Sequence, residues 1–495
     1  MRALVRLLPI LSAALFLAGP AAAAPPPPDG AVTVYHGDPA RLGAYIAPGL
    51  TPDAARTLHR DPGFDGHVEG HVYAQPLFWR PKPSAPGRVI VATSKDIVYA
   101  LDPTTGRPDW TAHLGTPVPM SALGCGDIDP VGVTGTPVID APRGALYLDA
   151  MVLRDGAPHH LVFALSLADG HVLPGWPLDI GAALEAAAPP FDPRFQNQRA
   201  ALALLDRRIY VAFGGHSGDC GDYHGIVAAI ATDDHPRLVA NWHTSGLKGG
   251  VWAPGGIGVA HGHLYFATGN TDGATQWADG EAVFRLGPNL ARREPGRDVF
   301  IPRDWQRLDE LDRDLGGTGP LPVDIAGRPR LLAFGKNGVA YLLNRDDLGG
   351  FGGEIARREV AHSPIVEAPA VLGRGSTGLV VFDAARALCP DGSFTAGLAA
   401  LAVGPGSIAP LWCAPYRGRA SPVITTTDGY TDPIVWLPGA DADRKLHAYD
   451  GLTGAPLYDS APMEDKIAPF STVLVADGRI YLAARGRVAA FTWTK

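Results

Sequence analysis

The stretch GGVWAPGGIGVAHGHLYFATGNTDGATQW, residues 249–277, shows the unit from which the chain is built. Its centre, from His263 to Thr268, has the alternating apolar pattern that is typical of a short β-strand. A glycine-rich turn carrying Trp252 precedes this strand, and a turn carrying Asn270 follows it. One strand and its turns thus offer a flat aromatic surface and an amide oxygen. A planar, anionic ligand held together with a cation needs both groups.

Strand segments of this kind recur along the chain at irregular intervals of roughly 46 to 67 residues, which fits four-stranded propeller blades with loop insertions. They begin near Val89, Leu146, Ile209, Leu264, Leu331, Leu379, Ile434 and Ile480. Several continue into a second strand and a tight turn, as in YALDPTTGRPDW at residues 99–110. We expect the aromatic residue that closes this pattern to dock between neighbouring blades.

These repeats predict an all-β fold, namely a single closed β-propeller of about eight four-stranded blades. The 61 glycines and 47 prolines agree with many tight connections. Seven blades are also possible, because the fourth and sixth repeats are irregular. The last repeat is cut short by the C-terminus, so we expect residues 31–35 (AVTVY) to supply its missing strand and remove the exposed sheet edge.

The N-terminus predicts export. Arg2 and Arg6 precede a short apolar run, and alanines at residues 21–24 follow it, which is the pattern of a secretory signal peptide rather than of a spanning helix. We therefore assign residues 1–24 to a cleaved signal peptide, residues 25–30 to a proline-rich leader and residues 31–495 to the propeller. The predicted location is the periplasm or the medium. The net charge of −8 and the lack of a basic run argue against a nucleic-acid partner, and we predict no transmembrane segment.

An exported chain can retain disulfides, and the four cysteines allow three pairings. Cys389 and Cys413 flank adjacent strands of one repeat, which favours a bridge between them. Cys125 and Cys220 then pair by elimination.

The repeat YALDPTTGRPDW resembles that of the quinoprotein alcohol dehydrogenases, propellers that bind pyrroloquinoline quinone (PQQ). Longer stretches resemble an exported bacterial group of PQQ-like propeller proteins that has no firmly assigned reaction. These stretches are VYAQPLF (72–78), CGDIDPVGVTGTPVID (125–140), FQNQRAALALL (195–205) and FGKNGVAYLLNRDDLG (334–349).

The resemblance implies a set of cofactor-binding and catalytic residues. Trp252 corresponds to the tryptophan that stacks under PQQ, and the turn with Lys336 and Asn337 corresponds to the segment that contacts the quinone oxygens. The acidic run at residues 308–314 lies where the enzymes carry their general base. That base is Asp309 or, with an offset, Asp312 or Asp314.

The resemblance also implies that Asn270 binds calcium. Calcium prefers six to eight oxygen ligands, and the glutamate ligand expected at residues 213–225 is missing from this chain. The segment GGHSGDCGDYHG stands there instead and offers Asp219 and Asp222. The adjacent cysteine pair that covers PQQ in the enzymes is absent as well.

Two functions follow from this reading. The first is an exported quinoprotein-like oxidoreductase that oxidises a small alcohol or sugar with PQQ and calcium and passes electrons to an external acceptor. The second is a non-catalytic propeller that serves as a protein- or glycan-binding scaffold in the cell envelope. The first requires Trp252, Asn270, Lys336 and one aspartate of the acidic run to converge at the axis.

Overall fold

A computed structural model describes residues 30–185, 189–294 and 296–494. The predicted signal peptide lies outside these residues, as does the predicted leader apart from Gly30. The described chain forms eight sheets, each with four principal antiparallel strands. The prediction of an all-β propeller is confirmed, with eight blades rather than seven.

Blades are numbered along the chain, and the strands of each are given from the axis outward. Blade 1 consists of Leu77–Trp79, Arg88–Ala92, Ile97–Leu101 and Pro108–His113, and blade 2 of Val138–Asp140, Ala145–Arg154, Ala157–Ser166 and Leu178–Asp179. Blade 3 consists of Ala203–Leu205 with Gln196–Asn197, then Arg208–Gly215, Ile226–Ala231 and Leu238–His243. Blade 4 consists of Gly258–Ala260, His263–Ala267, Val283–Leu286 and, outermost, Val299–Ile301 with Gly350–Phe351. Blade 5 consists of Leu321–Ile325, Arg328–Phe334, Val339–Leu343 and Ala356–Glu359, and blade 6 of Ala370–Arg374, Thr377–Ala387, Ala396–Gly404 and Ser407–Ala414. Blade 7 consists of Val423–Thr426 with Ala44–Ile46, then Ile434–Pro438, Leu446–Asp450 and Pro456–Asp459. Blade 8 consists of Leu474–Ala476, Arg479–Ala484, Arg487–Thr492 and, outermost, the pair His59–Arg60 and Gly66–His67.

Helices are few and short. The α-helices span Pro52–Arg56, Ile180–Leu184 and Trp305–Glu310, and the 3₁₀-helices span Tyr35–Gly37, Met120–Ala122, Ala141–Arg143 and Leu315–Gly317. Within the described part of the chain, no helix is both long and apolar enough to cross a membrane.

The strand that closes the ring was predicted wrongly. The outer strand of blade 8 comes from His59–Arg60 and Gly66–His67, which pair with Arg487–Thr492, and not from residues 31–35. His59 and Arg60 are both exposed, as suits a short outermost strand with both faces in solvent at the rim of the ring. Residues 31–35 are instead almost entirely buried, because they lie inside the ring.

This inner part of the chain, residues 31–46, is called the axial segment below. Its backbone bonds to the first strands of several blades: Val32 to Phe78, Thr33 to Ile139, Pro39 to Val259, Leu42 to Val371 and Gly43 to Ile424. Its last residues, Ala44–Ile46, add a parallel strand to blade 7. The axial segment therefore fills part of the central channel.

Both predicted disulfides are present. Cys389–Cys413 lies within blade 6, and Cys125–Cys220 ties the connection between blades 1 and 2 to the hairpin of blade 3. The second bridge crosses between blades close to the end of the axis where the candidate residues lie.

Candidate active site at the propeller axis

The segments that lead into the first strands meet at one end of the axis. First strands lie side by side around the axis and run in the same direction, so the residues just before them share one end. A narrow axial cavity opens there, and Tyr73, Arg199 and Phe470 line it. Tyr35 of the axial segment also lines this cavity, so the axial segment bounds it on the inner side.

Trp252 lies beside this cavity, in the glycine-rich turn before blade 4. The Nζ atom of Lys336 lies 5.4 Å from the centroid of its ring, and the guanidinium carbon of Arg199 lies 5.8 Å from it. Two neighbouring glycines leave room for the indole. A Cβ atom at Gly214 would approach the Cβ of Trp252 to 2.9 Å, and one at Gly269 would approach its Nε1 to 3.1 Å.

Lys336 joins Trp252 to the acidic run. Its Nζ atom lies 2.6 Å from an oxygen of Asp314 and 2.7 Å from one of Asp312. The other oxygen of Asp314 accepts a hydrogen bond of 2.9 Å from the backbone N–H of Asn270. The structure thus brings Trp252, Asn270, Lys336 and Asp314 together.

Burial and charge together set the protonation of Asp314 and Lys336. It raises the pKa of Asp314, although the ammonium of Lys336 acts against it. Burial also acts to lower the pKa of Lys336, but its two carboxylate partners outweigh this and raise it. We therefore describe Lys336 as charged and Asp314 as a carboxylate that takes up a proton more readily than an exposed aspartate does. A raised pKa favours a role as general base, because it makes the carboxylate a stronger proton acceptor.

The other two aspartates of the acidic run differ from Asp314. Asp309 accepts hydrogen bonds from the N–H and the hydroxyl of Thr271, at 2.6 and 2.9 Å, and so fastens the helix Trp305–Glu310 to the turn that carries Asn270. Asp312 is exposed at the edge of the ion pair. Of the three candidate bases, Asp314 alone is both buried and paired with Lys336.

Glu281 was missed at the sequence level. It is fully buried; its Oε2 accepts the N–H of Leu315 at 2.6 Å, and its Oε1 has no partner among the described residues. Burial, reinforced by the charge of Asp314, raises its pKa well above the usual range. The sequence feature that identifies Glu281 is an acidic residue at the start of the apolar run EAVF, where a strand begins.

Three candidates do not join this group. Asn337 accepts the N–H of Val339 and donates to Tyr341, so its amide stabilises its own turn. Asp219 accepts the hydroxyl of Tyr223 at 2.6 Å, and Asp222 is exposed.

The residues fit a planar anion better than they fit calcium. An indole face with the ammonium of Lys336 beside it suits the first ligand. For calcium, Asn270 offers a side-chain amide and Asp314 a carboxylate that is paired with Lys336, and these two residues fall short of the six to eight oxygen ligands that calcium prefers. Across the described ranges, no three His, Cys, Asp or Glu side chains are arranged to hold a metal ion. We therefore assign no step to calcium.

Comparison with known proteins supports the fold. No protein-family model matches the sequence, and neither does any curated protein. Among solved structures, the chain is similar to the quinohemoprotein alcohol dehydrogenase ADHIIG from Pseudomonas putida HK5, with a TM-score of 0.66 and 12% identity over 94% of this chain and 80% of that one. It is also similar to the quinohemoprotein alcohol dehydrogenase from Comamonas testosteroni, with a TM-score of 0.62 and 15% identity over 94% and 81%.

A europium-containing methanol dehydrogenase gives a TM-score of 0.62 and 15% identity over 92% of this chain and 89% of that one. At these identities the likeness concerns the fold. The chain has the eight-bladed propeller fold of the quinoprotein alcohol dehydrogenases, and the predicted resemblance is confirmed at that level.

Proposed function

We propose that this protein is an exported quinoprotein-like oxidoreductase that removes hydrogen from an alcohol or a sugar at the axial site. One observation carries the proposal: the buried Asp314 is paired with Lys336 beside the face of Trp252. A carboxylate, a cation and a flat aromatic surface at one end of a closed channel are what the oxidation of a hydroxyl carbon by a planar quinone requires.

Each residue has a stated part in this proposal. Trp252 would hold the planar ring of the cofactor, and Lys336 would neutralise its negative charge. Asp314 accepts the proton of the substrate hydroxyl, for which its raised pKa suits it. PQQ, when bound, supplies the acceptor for the hydride. Electrons then leave to an external acceptor.

The reconstituted protein tests the proposal. The full mature chain is incubated with PQQ, with and without added calcium, and bound cofactor is measured by absorbance after gel filtration. Alcohol- or sugar-dependent reduction of an artificial dye is then followed. We expect wild type to bind PQQ and Trp252→Ala to bind it more weakly.

The base is tested by Asp314→Asn, which keeps the shape of the side chain but removes its proton-accepting charge. We expect dye reduction to fall by at least about 100-fold, the usual contribution of a general base. Asp391→Asn, a change to an exposed carboxylate in blade 6, is the control and leaves the rate unchanged. An Asp314→Asn variant with the wild-type rate would rule out this assignment.

A non-catalytic envelope scaffold is the second candidate. Both oxygens of Asp314 are engaged within the protein, as in a purely structural ion pair, and this observation favours it. Failure to retain PQQ under any calcium condition would leave the scaffold as the better reading.

A further inference from the structure

Two arginines flank an aromatic ring at the axial cavity. The guanidinium carbon of Arg419 lies 5.1 Å from the ring centroid of Phe470, and that of Arg199 lies 6.0 Å from the same centroid. Arg199 also lies 5.8 Å from the centroid of Trp252. Its guanidinium therefore lies between Phe470, which lines the cavity, and Trp252.

Arg199 has no acidic partner in contact with it. Asp127 and Asp219 are close enough to act on its pKa, yet burial outweighs them and lowers that pKa. Neither carboxylate forms an ion pair with it, and its side chain makes no hydrogen bond to any residue in the described ranges. The side chain of Arg199 is half-buried and lines the cavity, so its guanidinium can bind an anionic ligand there.

A fully buried arginine elsewhere in the chain is satisfied within the protein, whereas Arg199 is half-buried at the cavity. Arg41 is fully buried and donates to three backbone carbonyls, those of Tyr35, Leu202 and Ile257. Arg199 lines the cavity and has no such acceptors.

Phe470 is held in an unusual backbone conformation. Its φ of 64° lies in the left-handed region, which a bulky side chain rarely adopts. Its N–H donates to the carbonyl of Arg419 at 2.8 Å, which fixes the ring beside that arginine. Strain of this kind is concentrated at sites that bind ligands.

We propose that the substrate of the axial site is an alcohol that also carries a carboxylate, such as a hydroxy acid or a sugar acid, and that Arg199 binds this carboxylate. Guanidinium is the group that best matches a carboxylate, through two parallel hydrogen bonds. Arg199 and Lys336 lie 5.8 and 5.4 Å from the same indole centroid, so one small molecule can reach both Arg199 and the Lys336–Asp314 pair. The proposal rests on the proposed function, whose substrate class it narrows.

The direct test is binding to the full mature protein without cofactor. Gluconate, a polyol with a carboxylate, and sorbitol, its neutral counterpart, are titrated by calorimetry and by tryptophan fluorescence. We expect gluconate to bind and sorbitol to bind at least ten-fold more weakly, with gluconate affinity falling as salt rises.

Substitution identifies the arginine. We expect Arg199→Gln to weaken gluconate binding by about ten- to a hundred-fold, the effect of losing hydrogen bonds to a charged group, and Arg199→Lys to recover part of it. Arg374→Gln is the matched control, because Arg374 also lies over an aromatic ring, that of Tyr430, at 5.2 Å, but at the far end of the first strand of blade 6. Circular dichroism and thermal unfolding check that every variant is folded.

The outcomes separate this inference from the proposed function. Equal binding of gluconate and sorbitol overturns it, and so does an Arg199→Gln variant that loses PQQ but keeps gluconate, because Arg199 then contacts the cofactor. Dye reduction with neutral alcohols and no preference for acids also overturns it, while the oxidoreductase proposal survives. Arg199-dependent gluconate binding without PQQ binding supports the carboxylate site and contradicts the oxidoreductase proposal.

Discussion

At the scale of single residues, the buried carboxyl groups of this protein fall into two kinds. Asp314 has a cation and a backbone donor beside it. Asp96 is fully buried at the turn between two strands of blade 1, and neither of its oxygens has a hydrogen-bond partner among the described residues. Burial, together with the nearby Asp149, raises the pKa of Asp96 to about 9.

Asp96 predicts a pH dependence of stability. Its pKa is raised in the folded state, so folding binds a proton from about the usual aspartate range, near pH 4, up to about pH 9. Stability is therefore highest below that range and falls as pH rises through it. We expect Asp96→Asn to flatten this slope and to gain at least about 1.4 kcal/mol over wild type between pH 5 and pH 9, the equivalent of one pKa unit.

The measurement is urea unfolding of both proteins at several pH values. Parallel stability curves for wild type and Asp96→Asn would contradict a neutral Asp96 in the folded state. Asp391→Asn, at an exposed site, shows the slope that surface carboxylates contribute.

The site residues that sequence reasoning found are those with a local pattern. Trp252 and Asn270 stand in turns on either side of the first two strands of blade 4, and Lys336 stands in a distinctive Lys-Asn-Gly turn. Glu281 and Arg199 are single charged residues, each at the start of an apolar run, and only the packing of different blades around the axis brings them to the site. The choice among Asp309, Asp312 and Asp314 likewise depends on which of them faces Lys336.

At the scale of elements, the fourth strand of a blade docks on the next blade through a tryptophan. The indole of Trp110 is buried and donates to the carbonyl of Leu167 in blade 2 at 3.2 Å. A Cβ atom on Gly170, whose φ is 78°, would approach that indole to 2.5 Å. Trp412 repeats the contact on blade 7 with Gly451 and Gly454. The expected docking of the closing aromatic residue is thus seen at two blade interfaces.

This contact predicts the effect of trimming the tryptophan. We expect Trp110→Ala to lower the free energy of unfolding by about 3–5 kcal/mol, because it leaves a cavity between two blades. Trp110→Phe keeps most of the packing and loses one hydrogen bond, which costs about 1 kcal/mol. Denaturant unfolding measures both, and equal losses in the two variants would show that packing of the ring does not hold the interface.

The sequence predicted the strands whose two faces are both buried. All eight predicted segments coincide with the second strands of the blades, which are continuous apolar runs because a sheet covers each face. The ring-closing strand His59–Arg60 has two exposed polar residues, so its sequence carries no comparable apolar signal. The apolar residues 31–35 resembled such a strand more closely, but they are apolar because the axial channel surrounds them.

At the scale of the whole molecule, the ring is closed twice. Its circumference is closed by the pairing of His59–Arg60 and Gly66–His67 with the last strand of the chain. Part of its channel is filled by the axial segment, which bonds to first strands of blades on opposite sides of the axis. The axial segment also contributes Tyr35 to the lining of the axial cavity. Folding of the N-terminal part and formation of the candidate site are therefore coupled.

This coupling is tested at Arg41, whose guanidinium donates to the carbonyl groups of Leu202 in blade 3 and Ile257 before blade 4. Arg41→Met removes the donors and leaves these buried acceptors unsatisfied, so we expect a loss of roughly 3 kcal/mol or more, at about 1–3 kcal/mol for each unsatisfied group. Since the axial segment and the blades share these bonds, the whole ring should unfold in one transition at a lower temperature. Arg56→Met, which removes only an exposed ion pair with Asp53, should change stability by less than about 1 kcal/mol. Calorimetry distinguishes the cases: an unshifted main transition in Arg41→Met would mean that the blades form the ring without help from the axial segment.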